Sequence, residues 1–166
     1  MIYLIDSNTF MTAARTFYSF DYGPKFWDFI EVQAKNNALA SIDKVFEEIN
    51  KGNDALKNWA KEKFLNYFLT TKEEPIFQKY AELVQWAENQ DNHYTRNAID
   101  EFMKEDNADP WLIAYSLAKN RNYTIVTFEQ VNKNRKNKIP IPNVCDYYQI
   151  NYCDLFEMLR NLNFQL

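Results

Sequence analysis

IYLIDSN, the stretch at residues 2–8, is an apolar run that ends on a carboxylate, and it decides the class of fold. A run of this composition is typical of an interior strand in a parallel sheet. In open α/β sheets, ligands and reacting groups lie at the carboxyl ends of the strands, which is where Asp6 falls. Asp6 or Ser7 could equally cap the helix that follows. The stretch therefore predicts an α/β fold and leaves two roles open for Asp6.

The bulk composition restricts the class of protein further. A chain of 166 residues is long enough for one domain with its own core. Its 2 glycines exclude dinucleotide-binding and P-loop phosphate sites, which need several at fixed spacings. The single histidine, His93, lies in a polar stretch, so Ser–His and Cys–His triads are set aside. A net charge of −4 disfavours broad nucleic-acid binding but allows an acidic metal site beside a local basic patch.

The sequence carries no sign of export or membrane insertion. No basic-then-apolar leader precedes Ile2, and no apolar run approaches the roughly 18 residues of a membrane span. The two cysteines, Cys145 and Cys153, lack metal-binding or redox spacing, which fits a reducing cytosol. We therefore expect a soluble, cytoplasmic protein with no membrane partner.

Hydrophobic periodicity predicts a single domain over residues 1–166 with a helical middle. Strands are predicted at 2–6, near 39–40, at 123–127 and near 149–152, with a possible short strand at 68–70. Helices are predicted at 7–17, 25–35, 42–51, over most of 54–106, from 109 to 118, and at the C-terminal end. The stretch between the last two main strands is predicted to be a basic polar loop. This order indicates a small α/β sandwich with a mainly parallel central sheet and a helical insertion at 54–106.

Four carboxylates fall where this topology could bring them together. Their positions are Asp6 after the first strand, Glu48 at the border of a helix core face, Asp109 at a helix start and Glu129 after the strand at 123–127. Taken singly, Asp109 is more simply a helix cap, and the two glutamates are more simply solvated side chains. Taken together, all four lie toward one edge of a parallel sheet. Carboxylates gathered there repel one another unless they are protonated or bridged by a cation.

Oxygen ligands without His or Cys favour a hard divalent metal, Mg²⁺ or Mn²⁺. Such an ion can polarise a phosphoryl oxygen and lower the pKa of a bound water. The four acids therefore predict a site for metal-assisted hydrolysis of a phosphate ester.

The segments around these acids resemble the motifs of PIN-domain ribonucleases, most closely a bacterial PIN-like branch labelled a domain of unknown function. The matching segments are IDSN at 5–8, VFEEI at 45–49, ADPWLIA at 108–114, VTFE at 126–129 and IPIPNVC at 139–145. The resemblance implies a PIN-like fold and a Mg²⁺- or Mn²⁺-dependent endoribonuclease, commonly the toxin of a type II toxin–antitoxin pair. The partners it implies are an RNA substrate, a small antitoxin protein and a second copy of the chain in a homodimer.

The resemblance also implies roles for individual residues. Asp6, Glu48 and Asp109 would be the core metal ligands, with Glu129 at the fourth acidic position. Supporting hydrogen bonds to the ligands, to metal-bound water or to phosphate would come from Thr127 and from Ser7 or Asn8, with Asn143 as a further supporting residue.

The chain departs from the family pattern at two of its acidic positions. Relatives often have Asp where this chain has the longer Glu129, and often have an acid where Asn143 stands. These departures argue against a second metal site more than against the first. The number of metals, one or two, is therefore left open. The spacing of the VFEEI segment favours Glu48 over Glu47 as the ligand.

The segment 132–138 is the only dense basic run in the chain. Its cations, Lys133, Arg135, Lys136 and Lys138, begin shortly after Glu129 and could hold the phosphates that flank a scissile bond. A solvated loop without a ligand is the competing interpretation.

Two other functional classes compete with the nuclease, and the sequence disfavours the second of them. A catalytically silent PIN-like module, binding a protein partner through its helical insertion, would need neither a metal nor Asp6. A phosphotransferase of the haloacid-dehalogenase type would need a second Asp two residues after Asp6, where this chain has Asn8.

Overall fold

A computed structural model describes residues 1–166 and contains one parallel five-stranded sheet. The strands are β1 (Ile2–Ile5), β2 (Leu39–Ile42), β3 (Phe68–Leu69), β4 (Tyr123–Val126) and β5 (Tyr152–Cys153). Their spatial order is β3-β2-β1-β4-β5, so the strand formed by the opening stretch lies at the centre. Leu4 and Ile5 are 0% and 1% exposed, as an interior strand requires. The predicted α/β fold with a small parallel sheet is confirmed.

Nine α-helices surround the sheet. They are α1 (Ser7–Thr12), α2 (Pro24–Lys35), α3 (Asp43–Asn50), α4 (Ala55–Trp59), α5 (Glu74–Glu88), α6 (Arg96–Met103), α7 (Ala108–Ala118), α8 (Ile141–Tyr148) and α9 (Leu155–Asn161). Single π-helical turns extend α1 over Ala13–Phe17 and α4 over Ala60–Phe64. The longest helix, α5, has 15 residues, and no helix combines the length and hydrophobicity needed to span a bilayer.

The predicted helical insertion contains α4, α5, α6 and the short edge strand β3. β3 pairs in parallel with β2 through Ser41–Phe68 and Ile42–Leu69, so the possible strand at 68–70 is real. The aromatic rings of Phe10, Phe64 and Phe68 pack together beneath it, with ring centroids 5.1–6.5 Å apart. The insertion is therefore joined to the sheet by both hydrogen bonds and apolar packing.

The structure differs from the sequence prediction between β4 and β5. The sequence predicts a basic polar loop there, but Ile141–Tyr148 forms α8. Pro140 is the N-cap and Pro142 lies in the first turn, where helical N–H groups have no partner within the helix. Gln149 ends the helix in a left-handed conformation with φ of 58°, so β5 begins only at Tyr152.

Helix α7 brings one carboxylate, Asp109, into the interior. All residues from Ala108 to Leu117 are buried, because α7 packs against α5, α8 and β4. A helix covered on several sides must be apolar nearly all round, and the ADPWLIA segment meets that condition except at Asp109. A carboxylate in the first turn of such a helix is removed from water by the packing of its neighbours.

Candidate active site

Asp6 lies between β1 and α1 and is 1% exposed. Its Oδ1 accepts a hydrogen bond from the Thr9 backbone N–H at 2.6 Å, which makes it the N-cap of α1. Its Oδ2 is buried and has no hydrogen-bond partner. Burial raises the pKa of Asp6 to about 6, although the hydrogen-bonding groups of Thr9 and Thr127 act to lower it. Asp6 therefore caps its helix with one oxygen and leaves the other free in the interior.

Asp109 lies in the first turn of α7, but it does not cap the helix. The N-cap is Asn107, whose Oδ1 accepts the backbone N–H of Asp109 at 3.0 Å. The interpretation of Asp109 as a cap is therefore wrong. Asn and Asp are equally good caps, so an Asn two residues upstream was the sequence signal for the true helix start.

The carboxyl of Asp109 is 8% exposed and feels several neighbouring charges. Its pKa is raised to about 8, chiefly by burial and then by the negative charges of Glu129 and Asp6. The positive charge of Lys138 opposes this rise in pKa, and the charge of Glu48 adds to it. Because all three other acids act on Asp109, the four predicted carboxylates share one electrostatic neighbourhood.

Glu48 on α3 links two other elements at this edge of the sheet. Its Oε1 accepts the Ala108 backbone N–H at 2.8 Å, and its Oε2 accepts the hydroxyl of Ser7. Glu47 instead points to solvent, with its carboxylate 3.6 Å from Lys44 Nζ. Of the two neighbouring glutamates, Glu48 is the one beside Asp109.

Glu129 follows β4 and is held by three contacts. Its Oε1 lies 2.5 Å from Lys138 Nζ, and its Oε2 accepts the Ile141 backbone N–H at 3.1 Å. Its own N–H donates to the Thr127 hydroxyl at 3.1 Å. Each carboxylate oxygen of Glu129 therefore has one protein partner, as does each carboxylate oxygen of Glu48.

The other predicted supporting residues lie in different surroundings. Asn8 is exposed at the start of α1. The Asn143 amide donates to the Asn132 carbonyl at 2.9 Å and to the Tyr94 hydroxyl at 3.0 Å. Its Oδ1 accepts the Asn132 N–H at 3.0 Å. Asn143 therefore holds the start of the basic loop in place instead of facing the carboxylates.

The four predicted substrate-binding cations divide into two groups. Lys133, Arg135 and Lys136 are exposed, and Arg135 Nε donates to Asn137 Oδ1 at 3.1 Å. Lys138 alone reaches the acids, through Glu129. The loop thus offers a cationic surface with one member inside the site.

The acids fit a divalent cation only in part. Asp6 Oδ2 is an orphaned buried oxygen, and the pKa of Asp109 is governed by burial and neighbouring charge, so both carboxyls would gain from a cation. Yet no group of three or more His, Cys, Asp or Glu side chains lies close enough together to hold a metal ion. Asp6 and Asp109 are the residues that could contact an ion directly, and Glu48 and Glu129 could reach it through water.

Asn107→Ala is expected to destabilise the protein by about 1 kcal/mol and to impair the site as well, since it removes the cap that fixes the first turn of α7. Asp154→Ala is the matched control, because Asp154 caps α9 through the Glu157 N–H at 2.8 Å, away from the carboxylates. Urea unfolding should show similar losses for both variants. Binding of Mn²⁺ at the carboxylates should weaken only for Asn107→Ala; equal binding by both variants would contradict a link between the cap and the site.

Comparison with known proteins identifies relatives of this chain. A family model described as "Domain of unknown function (DUF4411)" matches residues 3–166. No curated protein matches the sequence. A chain in the crystal structure of VapBC2 from Rickettsia felis bound to a DNA fragment from their promoter is similar in fold, with a TM-score of 0.53 and 16% identity. The similarity covers 93% of this chain and 98% of that one.

Proposed function

Because the chain belongs to the DUF4411 family and has a PIN-like fold, we propose that it is a divalent-metal-dependent endoribonuclease. The observation that carries the proposal is the pair of buried carboxyls at the carboxyl edge of the sheet. Asp6 has an unpartnered oxygen there, and the pKa of Asp109 is raised to about 8. Two desolvated acids whose partners only partly compensate their burial are costly to keep unless function requires them.

In this mechanism Asp6 and Asp109 would hold Mg²⁺ or Mn²⁺. Such an ion supplies a Lewis acid for the phosphoryl group and lowers the pKa of bound water. Glu48 accepts hydrogen bonds from the Ala108 N–H and the Ser7 hydroxyl, so it ties the start of α7 to the start of α1. This tie sets the position of Asp109 relative to Asp6. Thr127 orients the backbone of Glu129. These residues act by positioning, because rigid placement of the reacting groups is itself a large part of catalysis.

RNA is the proposed substrate, and the basic loop is the proposed surface for its backbone. Lys133, Arg135 and Lys136 are exposed on the segment that leads to Lys138 and Glu129. Cations placed beside a cleavage site bind the flanking phosphates and fix the register of the strand. In a chain with an overall charge of −4, this dense basic run is a local surface that attracts a polyanion.

The proposed biological role is the toxin of a type II toxin–antitoxin system in the cytoplasm. The fold likeness to a chain of the DNA-bound VapBC2 complex supports a protein antitoxin as partner. The exposed apolar side chains Leu65 and Phe77 of the insertion offer contacts for that antitoxin or for a second copy in a homodimer.

A catalytically silent interaction module is the second candidate, and one observation favours it. Both oxygens of Glu48 and both of Glu129 already have protein partners, so these two carboxylates are satisfied without a metal. Such a module would bind its partner equally well with Asp6 and Asp109 replaced by their amides.

The test is cleavage of a single-stranded RNA by the purified protein, with a DNA strand of the same sequence as control. Cleavage is expected with Mg²⁺ or Mn²⁺, none with EDTA, and little on DNA. Cleavage that persists in EDTA would point to a contaminating metal-independent ribonuclease. The absence of metal-dependent cleavage on a panel of RNAs, with a folded protein, would favour the silent module.

Glu48→Gln is expected to lower cleavage by roughly 10- to 100-fold, the usual cost of altering a residue that orients metal ligands. The glutamine keeps the length of the side chain but cannot accept from both Ser7 and Ala108 as a carboxylate does. Glu47→Gln, one residue earlier and 51% exposed, is the matched control and should cleave like the wild type. Equal activity in both variants would remove Glu48 from the mechanism.

A further inference from the structure

Lys138 differs from every other lysine in the basic loop, because its ammonium group is built into the carboxylate site. Nζ lies 2.5 Å from Glu129 Oε1, and the side chains of Lys138 and Glu129 are 35% and 14% exposed. Other pairs are more open in total, as in Lys104–Glu101, where the exposures are 58% and 63%. The neighbouring residues Ile139 and Ile141 are 2% and 0% exposed, which anchors the end of the loop in the core.

The Lys138 ammonium acts on Asp109 as well as on Glu129. Its charge opposes the rise in the pKa of Asp109 that burial and the other acids cause. Burial acts to lower the pKa of Lys138, but the hydrogen bond and charge of Glu129 outweigh it and hold that pKa above its ordinary value. Lys138 is therefore a permanent cation at neutral pH, placed where it neutralises the Glu129–Asp109 side of the site.

We propose that Lys138 is the resident second cation of the active site, and that it takes the place of a second divalent metal. Both oxygens of Glu129 already have partners, the Lys138 ammonium at Oε1 and the Ile141 N–H at Oε2, so a metal ion would have to compete with Lys138 for this carboxylate. A divalent ion at this position would also meet the ammonium charge at close range. The remaining free carboxyls, Asp6 and Asp109, then bind one Mg²⁺ or Mn²⁺, and Lys138 pairs with the substrate phosphate beside it.

This inference rests on the proposed function but is tested without any cleavage assay. Mn²⁺ is titrated into wild type, Lys138→Met, Lys138→Arg, Glu129→Gln, the Lys138→Met/Glu129→Gln double variant and the loop control Lys136→Met. Bound Mn²⁺ per chain is counted by electron paramagnetic resonance of the free ion. Wild type, Lys138→Arg, Glu129→Gln and Lys136→Met should each bind one Mn²⁺. Lys138→Met should bind two, because Glu129 loses its counter-cation, and the double variant should return to one.

The alternative outcomes separate this inference from the proposed function. Two Mn²⁺ in wild type, or one in Lys138→Met with unchanged affinity, would overturn the role of Lys138 while metal-dependent RNA cleavage by wild type still stood. No Mn²⁺ binding by wild type, together with no RNA cleavage, would overturn both. If Lys138→Met does not fold, Lys138→Ala removes the charge and the hydrogen-bond donor together and should also bind two.

Discussion

Asp6→Asn is expected to reduce metal-dependent RNA cleavage on the order of 10³-fold, more than the 10- to 100-fold typical of residues that only orient a metal ligand. The substitution exchanges the free Oδ2 of a carboxylate for an amide group, which carries no negative charge toward a cation. Because this oxygen is the only fully buried carboxylate oxygen without a partner, no neighbouring side chain can take over its role directly.

The fold should survive Asp6→Asn. Asn is as good an N-cap as Asp, so its Oδ1 can still accept the Thr9 N–H that begins α1. The variant also removes a carboxyl whose ionised form is disfavoured by burial, as its pKa of about 6 indicates. Stability without metal should therefore be equal to or above that of the wild type at neutral pH. Asp6→Ala would lose the cap too and should cost about 1 kcal/mol.

The measurement is single-turnover cleavage of one RNA in Mn²⁺, with thermal melts of each variant in EDTA. Asp154→Asn is the matched control, since Asp154 caps α9 through the same contact and lies outside the carboxylate group. It should melt and cleave like the wild type. Full cleavage by Asp6→Asn would contradict the proposed nuclease site and leave Asp6 as a helix cap alone.

The central part of this architecture could be predicted from sequence because it depends on local chemistry. The apolar run before Asp6 makes an interior strand. Along the rest of the chain, hydrophobic periods typical of strands and of helices specify where each kind of element falls. The same topology predicts that the four acids lie toward one edge of the sheet, and the charges of Asp6, Glu48 and Glu129 all act on the pKa of Asp109.

The parts that sequence reasoning misses depend on where a helix begins and on contacts that no local pattern specifies. Helix α8 was obscured by its two prolines, which are harmless only because they fall at and just inside the N-terminus. The contact of Glu48 with Ala108 joins residues 60 positions apart, and no local pattern specifies which glutamate oxygens are free. In sequence, Lys138 is one of four basic residues in the loop, and only its contact with Glu129 distinguishes it from the others.

Asp109→Asn is expected to stabilise the metal-free protein increasingly as the pH rises from 4 to 8. The folded-state pKa of Asp109, about 8, lies well above the ordinary value of 3.8, so between these values the folded state holds a proton that the unfolded state has released. Stability therefore falls with rising pH, by about 1.4 kcal/mol per pH unit for one such proton. Asparagine has no proton to lose, so its advantage should be small near pH 4 and on the order of 5 kcal/mol at pH 8.

Urea unfolding followed by circular dichroism in EDTA, at steps from pH 4 to 8, measures this difference. Asp106→Asn is the control: its side chain is 69% exposed, and water solvates its charge in both states, so its curve should run parallel to that of the wild type. Parallel curves for wild type and Asp109→Asn would contradict the burial of this carboxyl.

Adding Mg²⁺ at pH 8 should recover much of the lost stability in the wild type but not in Asp109→Asn, since a cation that binds the folded state stabilises it and compensates the buried charge. The same pair of measurements thus connects the electrostatic cost of the site to the ion proposed to offset it.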